Sequence, residues 1–205
     1  MALMTFEVPA GYSRIPVGLT LAETREFVAG PAAAMEVAGD EAENQTLQLH
    51  QWSTALRALG AMYAGAYWRG EGDQSRFGML LVAAQPLAYG DAHLASRGLP
   101  HGLRDPEDDA TAAKPFDLPC GPASVFARQI DLPVEGERSA AEGGAVVPVG
   151  ELQAYIPVPR ELSGGREEIV VVAFQTPDLD HWDTYAQHLV FLLKSIKFDE
   201  EPRSD

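Results

Sequence analysis

A single cysteine, Cys120, stands among the 205 residues, so no internal disulfide can form. That suits a reducing compartment. Positive charge is scarce as well: 15 Lys and Arg face 30 Asp and Glu, for a formal net charge of −15. Nucleic-acid binding works largely by displacing counterions with basic residues, and anionic membrane surfaces attract polybasic segments. Neither partner is therefore expected, whereas a basic protein or a cation stays open. Long apolar runs are missing too. The longest, residues 78–84, is strand-sized, well short of the roughly 18 apolar residues of a membrane span. The opening Met1-Ala2-Leu3-Met4-Thr5-Phe6-Glu7 has no basic region and no long apolar stretch, so it does not read as a signal peptide. Cytoplasmic residence is the expectation. The chain also lacks a G-x-S-x-G elbow, a GxGxxG fingerprint, a Walker loop, HExxH and CxxC, which removes the common enzyme classes that depend on them.

What is present is an ordinary globular composition, 46% hydrophobic and 22% charged, in a length that suits one domain with a sizeable core. Residues 4–8 alternate and stop at Pro9, as a short strand would. Thr20-Leu21-Ala22-Glu23 is a capping-box pattern that starts a helix running to about Ala29, where Gly30-Pro31 breaks or restarts it. A second box at Asp40-Glu41-Ala42-Glu43 precedes Leu49, Trp52, Leu56 and Leu59, whose spacings of three, four and three define one helix face ending at Gly60. Residues 63–68 and 76–87 read as a hairpin about a polar, Gly-rich turn. Phe77-Gly78-Met79-Leu80-Leu81-Val82 is apolar on both faces, as in a central strand.

Residues 90–122 are rich in Gly and Pro and carry the acidic run Asp105-Pro106-Glu107-Asp108-Asp109. They read as a surface insertion, and long loops of this kind are usually functional or disordered. Strands resume at 124–132. After a polar stretch at 135–144 they continue at 145–149 and 152–157, and then, past a turn at 163–166, at 168–174. Thr176-Pro177-Asp178 has the residues of a helix start. Leu179, Trp182, Tyr185 or Ala186, Leu189, Leu193 and Ile196 then keep a helical stripe, with Lys194 and Lys197 at the negative end of the dipole. Residues 199–205 form a polar tail. The whole predicts a single domain of the α+β type: a curved, mostly antiparallel sheet with helices packed on its faces.

The apolar strand Ile169-Val170-Val171-Val172-Ala173-Phe174, the Thr176-Pro177 helix start and the close Leu192-Leu193-Lys194-Ser195-Ile196-Lys197-Phe198 resemble the PsbP-like family of α/β/α sandwiches. The hairpin after an amphipathic helix fits the same order of elements. The likeness implies a non-enzymatic binding or accessory role, because members with a known function act mainly as accessory or adaptor proteins.

Candidate functional residues fall into three groups. Tyr63 and Tyr67 share one face of their strand and Trp68 takes the other. Tyr67 and Trp68 are thus candidates for a partner surface, with core packing the competing reading. Asp105, Asp108 and Asp109 are candidates for binding another protein through the insertion. His93 and His101, in the same insertion, offer imidazoles alongside Asp91, Asp105 and Cys120. Such mixed ligands suit a transition metal, although the spacing matches no standard zinc pattern. Asp178-Leu179-Asp180-His181-Trp182-Asp183 looks like a ligand cluster, but the positive end of a helix dipole explains its acids without a metal. The expectation is a non-enzymatic binding or accessory protein with no cofactor, engaging another protein. The alternatives are a small enzyme with a metal-dependent site in the insertion, or a structural subunit of an assembly.

Overall fold

The β-branched and aromatic runs build one open, seven-stranded sheet in which every pairing is antiparallel. The computed structural model describes residues 3–34, 39–71, 74–87, 112–133, 146–163 and 165–199. Strand order is β2 (Tyr12–Ile15), β3 (Ala61–Glu71), β4 (Gln74–Pro86), β8 (Glu168–Thr176), β7 (Val146–Pro157), β6 (Gly121–Pro133) and β5 (Ala112–Leu118). A separate two-stranded ribbon joins β1 (Leu3–Thr5) to β9 (Lys197–Asp199), near the two chain ends. β4 and β8 lie inside the sheet and are the strands with apolar residues on both faces, as interior position requires. No helix among the described residues is long and apolar enough to cross a membrane.

The core sits between one face of the sheet and α3 (Trp182–Ser195). Tyr185, Leu189, Leu192 and Leu193 fall at spacings of three and four and are buried. They join Leu80, Val82, Ile156, Val170, Val172 and Phe174 from alternate positions on three strands. Each side chain so buried contributes about 1.5–3 kcal/mol. Gly78 is part of this packing: a Cβ there would stand 2.7 Å from the Phe174 ring.

The helix begins later than its sequence signals suggest. The ladder carries β8 through Thr176, which pairs with Gly150. Thr176 therefore ends a strand, and its hydroxyl accepts the Asp178 N–H at 3.0 Å. A 3-10 turn at Leu179–His181 follows, and α3 starts only at Trp182. At the other end Ile196 is extended and buried, and Lys197 already belongs to β9.

α1 (Leu21–Ala34) opens on the expected capping box. The Thr20 N–H donates to the Glu23 carboxylate at 2.8 Å, and the Glu23 N–H donates to the Thr20 hydroxyl at 3.3 Å. These bonds hold the Glu23 carboxyl below its ordinary range. The helix then continues through Gly30 and Pro31, forgoing the bond that Pro31 cannot donate.

α2 (Gly39–Ala58) begins one residue before Asp40, so Asp40 lies in its first turn. Its buried face is not the apolar stripe. Thr46 and Ser53 are buried, Leu49 and Leu56 half-buried, and Trp52 and Leu59 exposed, Trp52 by 60%. The helix is thus turned by about a quarter revolution from the face that its apolar residues suggest. It packs on α1, whose Thr24 is fully buried. The Thr24 and Thr46 hydroxyls donate to the carbonyls of Thr20 and Ala42, both at 2.8 Å. Back-bonding of this kind lets small polar residues be buried cheaply. Ser53 accepts the Leu19 N–H at 2.8 Å.

Two further boundaries differ. Residues 112–122, inside the expected insertion, form β5 and the start of β6. The prolines there misled because β5 is an edge strand, where Pro is tolerated. The expected strands at 145–149 and 152–157 are one strand running through Gly150.

Candidate binding surface

The pairing register places an arm at one corner of the sheet. The β5–β6 ladder has its last described rung at Ala112 and Ala127, and the β7–β8 ladder stops at Gly150 and Thr176. The β6–β7 ladder runs on to Pro133 and Val146. Among the described residues, β6 from Arg128 to Pro133 therefore has β7 as its only neighbour, over roughly 20 Å of strand. The side chains on one face of this arm are set by the pleat. Ile130 opposes Val149, and Leu132 opposes Val147. Leu132 and Val147 are both exposed, and Val146 is exposed on the other face.

At the base of the arm, on the face that carries Leu132 and Val147, Arg128 opposes Glu151. The Glu151 side chain is only 3% exposed, and its carboxylate accepts from three side chains. Arg128 Nε donates to Oε2 at 2.5 Å, and the amides of Gln153 and Gln175 both donate to Oε1 at 2.8 Å. The Tyr155 hydroxyl donates in turn to Gln153 at 2.6 Å. Burial by itself would raise the Glu151 pKa, but the bonds from Gln175, Arg128 and Gln153 outweigh it and hold the carboxyl below its ordinary range. Burial, and then the Glu151 charge, push the Tyr155 phenol up.

The guanidinium is held from a second side. Its central carbon lies 5.6 Å from the centroid of the Phe126 ring, which stacks on Tyr155 at 6.0 Å and 15°. Among the described residues Nε is the one Arg128 nitrogen with a hydrogen-bond partner, and the side chain so fixed is 36% exposed. Beside the arm's base lies a cleft of about 360 Å³ lined by Ala127, Arg128, Gln129, Gly150, Leu179 and Trp182. Gly150 permits its wall, because a Cβ would come within 2.8 Å of the Trp182 ring.

Among the described residues singled out in the sequence, Tyr67 and Trp68 fall on opposite faces of their strand. Tyr67 is buried, with its ring against Tyr12, Tyr185 and His188, so it packs in the core and presents nothing to a partner. Trp68 is on the opposite face, 66% exposed, edge-on to Phe77 at 5.9 Å. Asp105, Asp108, Asp109, His93 and His101 lie outside the described residues. Within the Asp-His-Trp-Asp cluster the structure shows a pairing that helix capping does not provide. Asp178 contacts His181 Nδ1 at 2.7 Å and accepts the Tyr185 hydroxyl at 2.9 Å. Burial raises the Asp178 pKa, but these two bonds, together with the charges of His181 and Arg76, overcome it and leave the carboxyl low. Burial and Asp178 push Tyr185 up to about 12. Among the described residues no group of three or more His, Cys, Asp or Glu could hold a metal ion.

Sequence reasoning missed the Arg128–Glu151 site. The partners are 23 residues apart in the chain, and only the β6–β7 register makes them opposite. No family model matches the chain, and no curated protein matches it.

Proposed function

We propose that this chain is a non-enzymatic binding or accessory protein of the cytoplasm, and that its partner is another protein held on the β6–β7 arm. The observation that carries the reading is the face on which the fixed Arg128 is followed by half-buried Ile130 and then by exposed Leu132 and Val147, with Val149 buried between. Protein–protein hot spots favour rigid aromatic and Arg anchors surrounded by apolar contacts, and β6 from Arg128 to Pro133, whose one neighbour among the described residues is β7, presents the kind of edge that another chain can pair with. Glu151 supports the reading from the chemical side. All its bonds go to neighbouring side chains, which suits an anchor for Arg128 better than a general base. The resemblance to accessory proteins of the PsbP-like family points the same way, and a half-buried lone thiol suits a reducing cytoplasm.

The test is a comparison of capture from native lysate by the wild type and by a Leu132→Ser, Val147→Ser double variant. Both sites are exposed, so stability should change by no more than about 0.5 kcal/mol per site. Recovery of the specific partner is expected to fall at least about tenfold, the equivalent of about 1.4 kcal/mol. Phe27→Ser on α1, also exposed, should leave recovery intact. Equal recovery by the wild type and the double variant would contradict the proposal.

A further inference from the structure

We propose that Arg128 sets the chemistry of the partner: it takes a carboxylate from an acidic side chain whose apolar neighbours cover Leu132 and Val147. This rests on the arm being the docking surface and goes beyond it by naming what docks. A chain with a net charge of −15 invites the opposite expectation, a basic partner. Asp131 is exposed on the arm's other face, but among the described residues the face of Arg128 and Leu132 offers basic groups no open carboxylate. Glu151 is buried and its oxygens are occupied, so what this face turns outward is the arginine.

The geometry is that of a half-used fork. Glu151 takes Nε, and the end-on pair of terminal nitrogens has no hydrogen-bond partner among the described residues. Two parallel N–H groups in that plane match a carboxylate bidentately. The cost of fixing the side chain is already met, because Glu151 and the Phe126 ring hold the guanidinium before any ligand arrives. Along the same face Ile130 and Leu132 follow at alternate positions on β6, opposite Val149 and Val147. A segment lying along the arm would therefore meet one cation and then an apolar surface, which an acidic residue flanked by apolar residues fits.

The experiment uses the full chain with labelled arginine side chains and three synthetic peptides. The probes are acetyl-Leu-Asp-Leu-Asp-Leu-amide, the same peptide with Asn in place of Asp, and the same with Lys. The Asp peptide is expected to shift the Arg128 Nε–H resonance and the Leu132 and Val147 methyl resonances to saturation. It should bind about tenfold or more tightly than the Asn peptide, since a charge-assisted bidentate pair is stronger than a neutral one. Arg128→Lys keeps a cation beside Glu151 but loses the fork, and should erase that difference. Equal binding of the Asp and Asn peptides, preference for the Lys peptide, or no saturation by any probe would overturn the proposal. Capture that still depends on Leu132 and Val147 in that event would leave the arm as docking surface and remove only the carboxylate.

Discussion

Phe174→Ala is expected to lower the unfolding free energy by about 3–5 kcal/mol. Phe174 is completely buried and sits at the centre of the layer between the sheet and α3. Its ring lies 5.1 Å from that of Tyr185 and covers the bare Cα of Gly78. Truncation removes the transfer free energy of the ring and leaves a cavity. The β4 and β8 backbones cannot collapse into it, because each is hydrogen-bonded on both sides. Urea unfolding should show a lower midpoint with an unchanged slope. Trp68→Ala, a loss of even more side chain from an exposed site, should stay within about 0.5 kcal/mol. Comparable losses in the two variants would mean that the core does not lie where the burial pattern puts it.

Glu151→Ala is expected to cost about 2 kcal/mol. The carboxylate is the common acceptor for Arg128, Gln153 and Gln175, and removing it forfeits three charge-assisted bonds, a loss that water reaching Arg128 and Gln175 partly offsets. The same group gives the protein an acid sensitivity. Its folded-state pKa lies below the ordinary value of 4.5. Its stabilisation is therefore fully present above the range where the unfolded glutamate titrates, and is lost as pH falls through the lower folded value. Stability measured from neutral pH down into the acid range should fall more steeply for the wild type than for Glu151→Gln. Parallel curves would show that the carboxylate gains nothing from its neighbours.

Much of the architecture is legible from local pattern. The strand alternation that separates Tyr63 and Tyr67 from Trp68, the central character of β4 and β8, and the helical stripe of α3 all depend on residues close in sequence. The misjudged features share a different cause. α2 turns Trp52 and Leu59 outward and buries Thr46 and Ser53, with Ser53 bonded to the backbone of Gly18 and Leu19, a choice set by tertiary contacts and not by the helix alone. Thr176 carries helix-start chemistry, yet the ladder with Gly150 claims it as strand. The prolines around β5 signal a loop until the strand is seen to lie at the sheet's edge. The arm was invisible for the same reason: nothing in residues 128–133 or 146–149 says that the β6–β7 pairing runs on past the last described rungs of its neighbours. Its electrostatics were invisible too, since Arg128, Glu151 and Gln175 lie on three strands that only the register aligns.

The most direct test of the arm as docking surface is site-specific photo-crosslinking in native lysate. A photoreactive residue would replace Val147 on the arm, with Trp52 on α2 and Val190 on α3, both exposed, as control positions. A discrete covalent adduct with one partner protein is expected from position 147 and from neither control. Adducts confined to position 52 or 190, or the same adducts from all three, would contradict it.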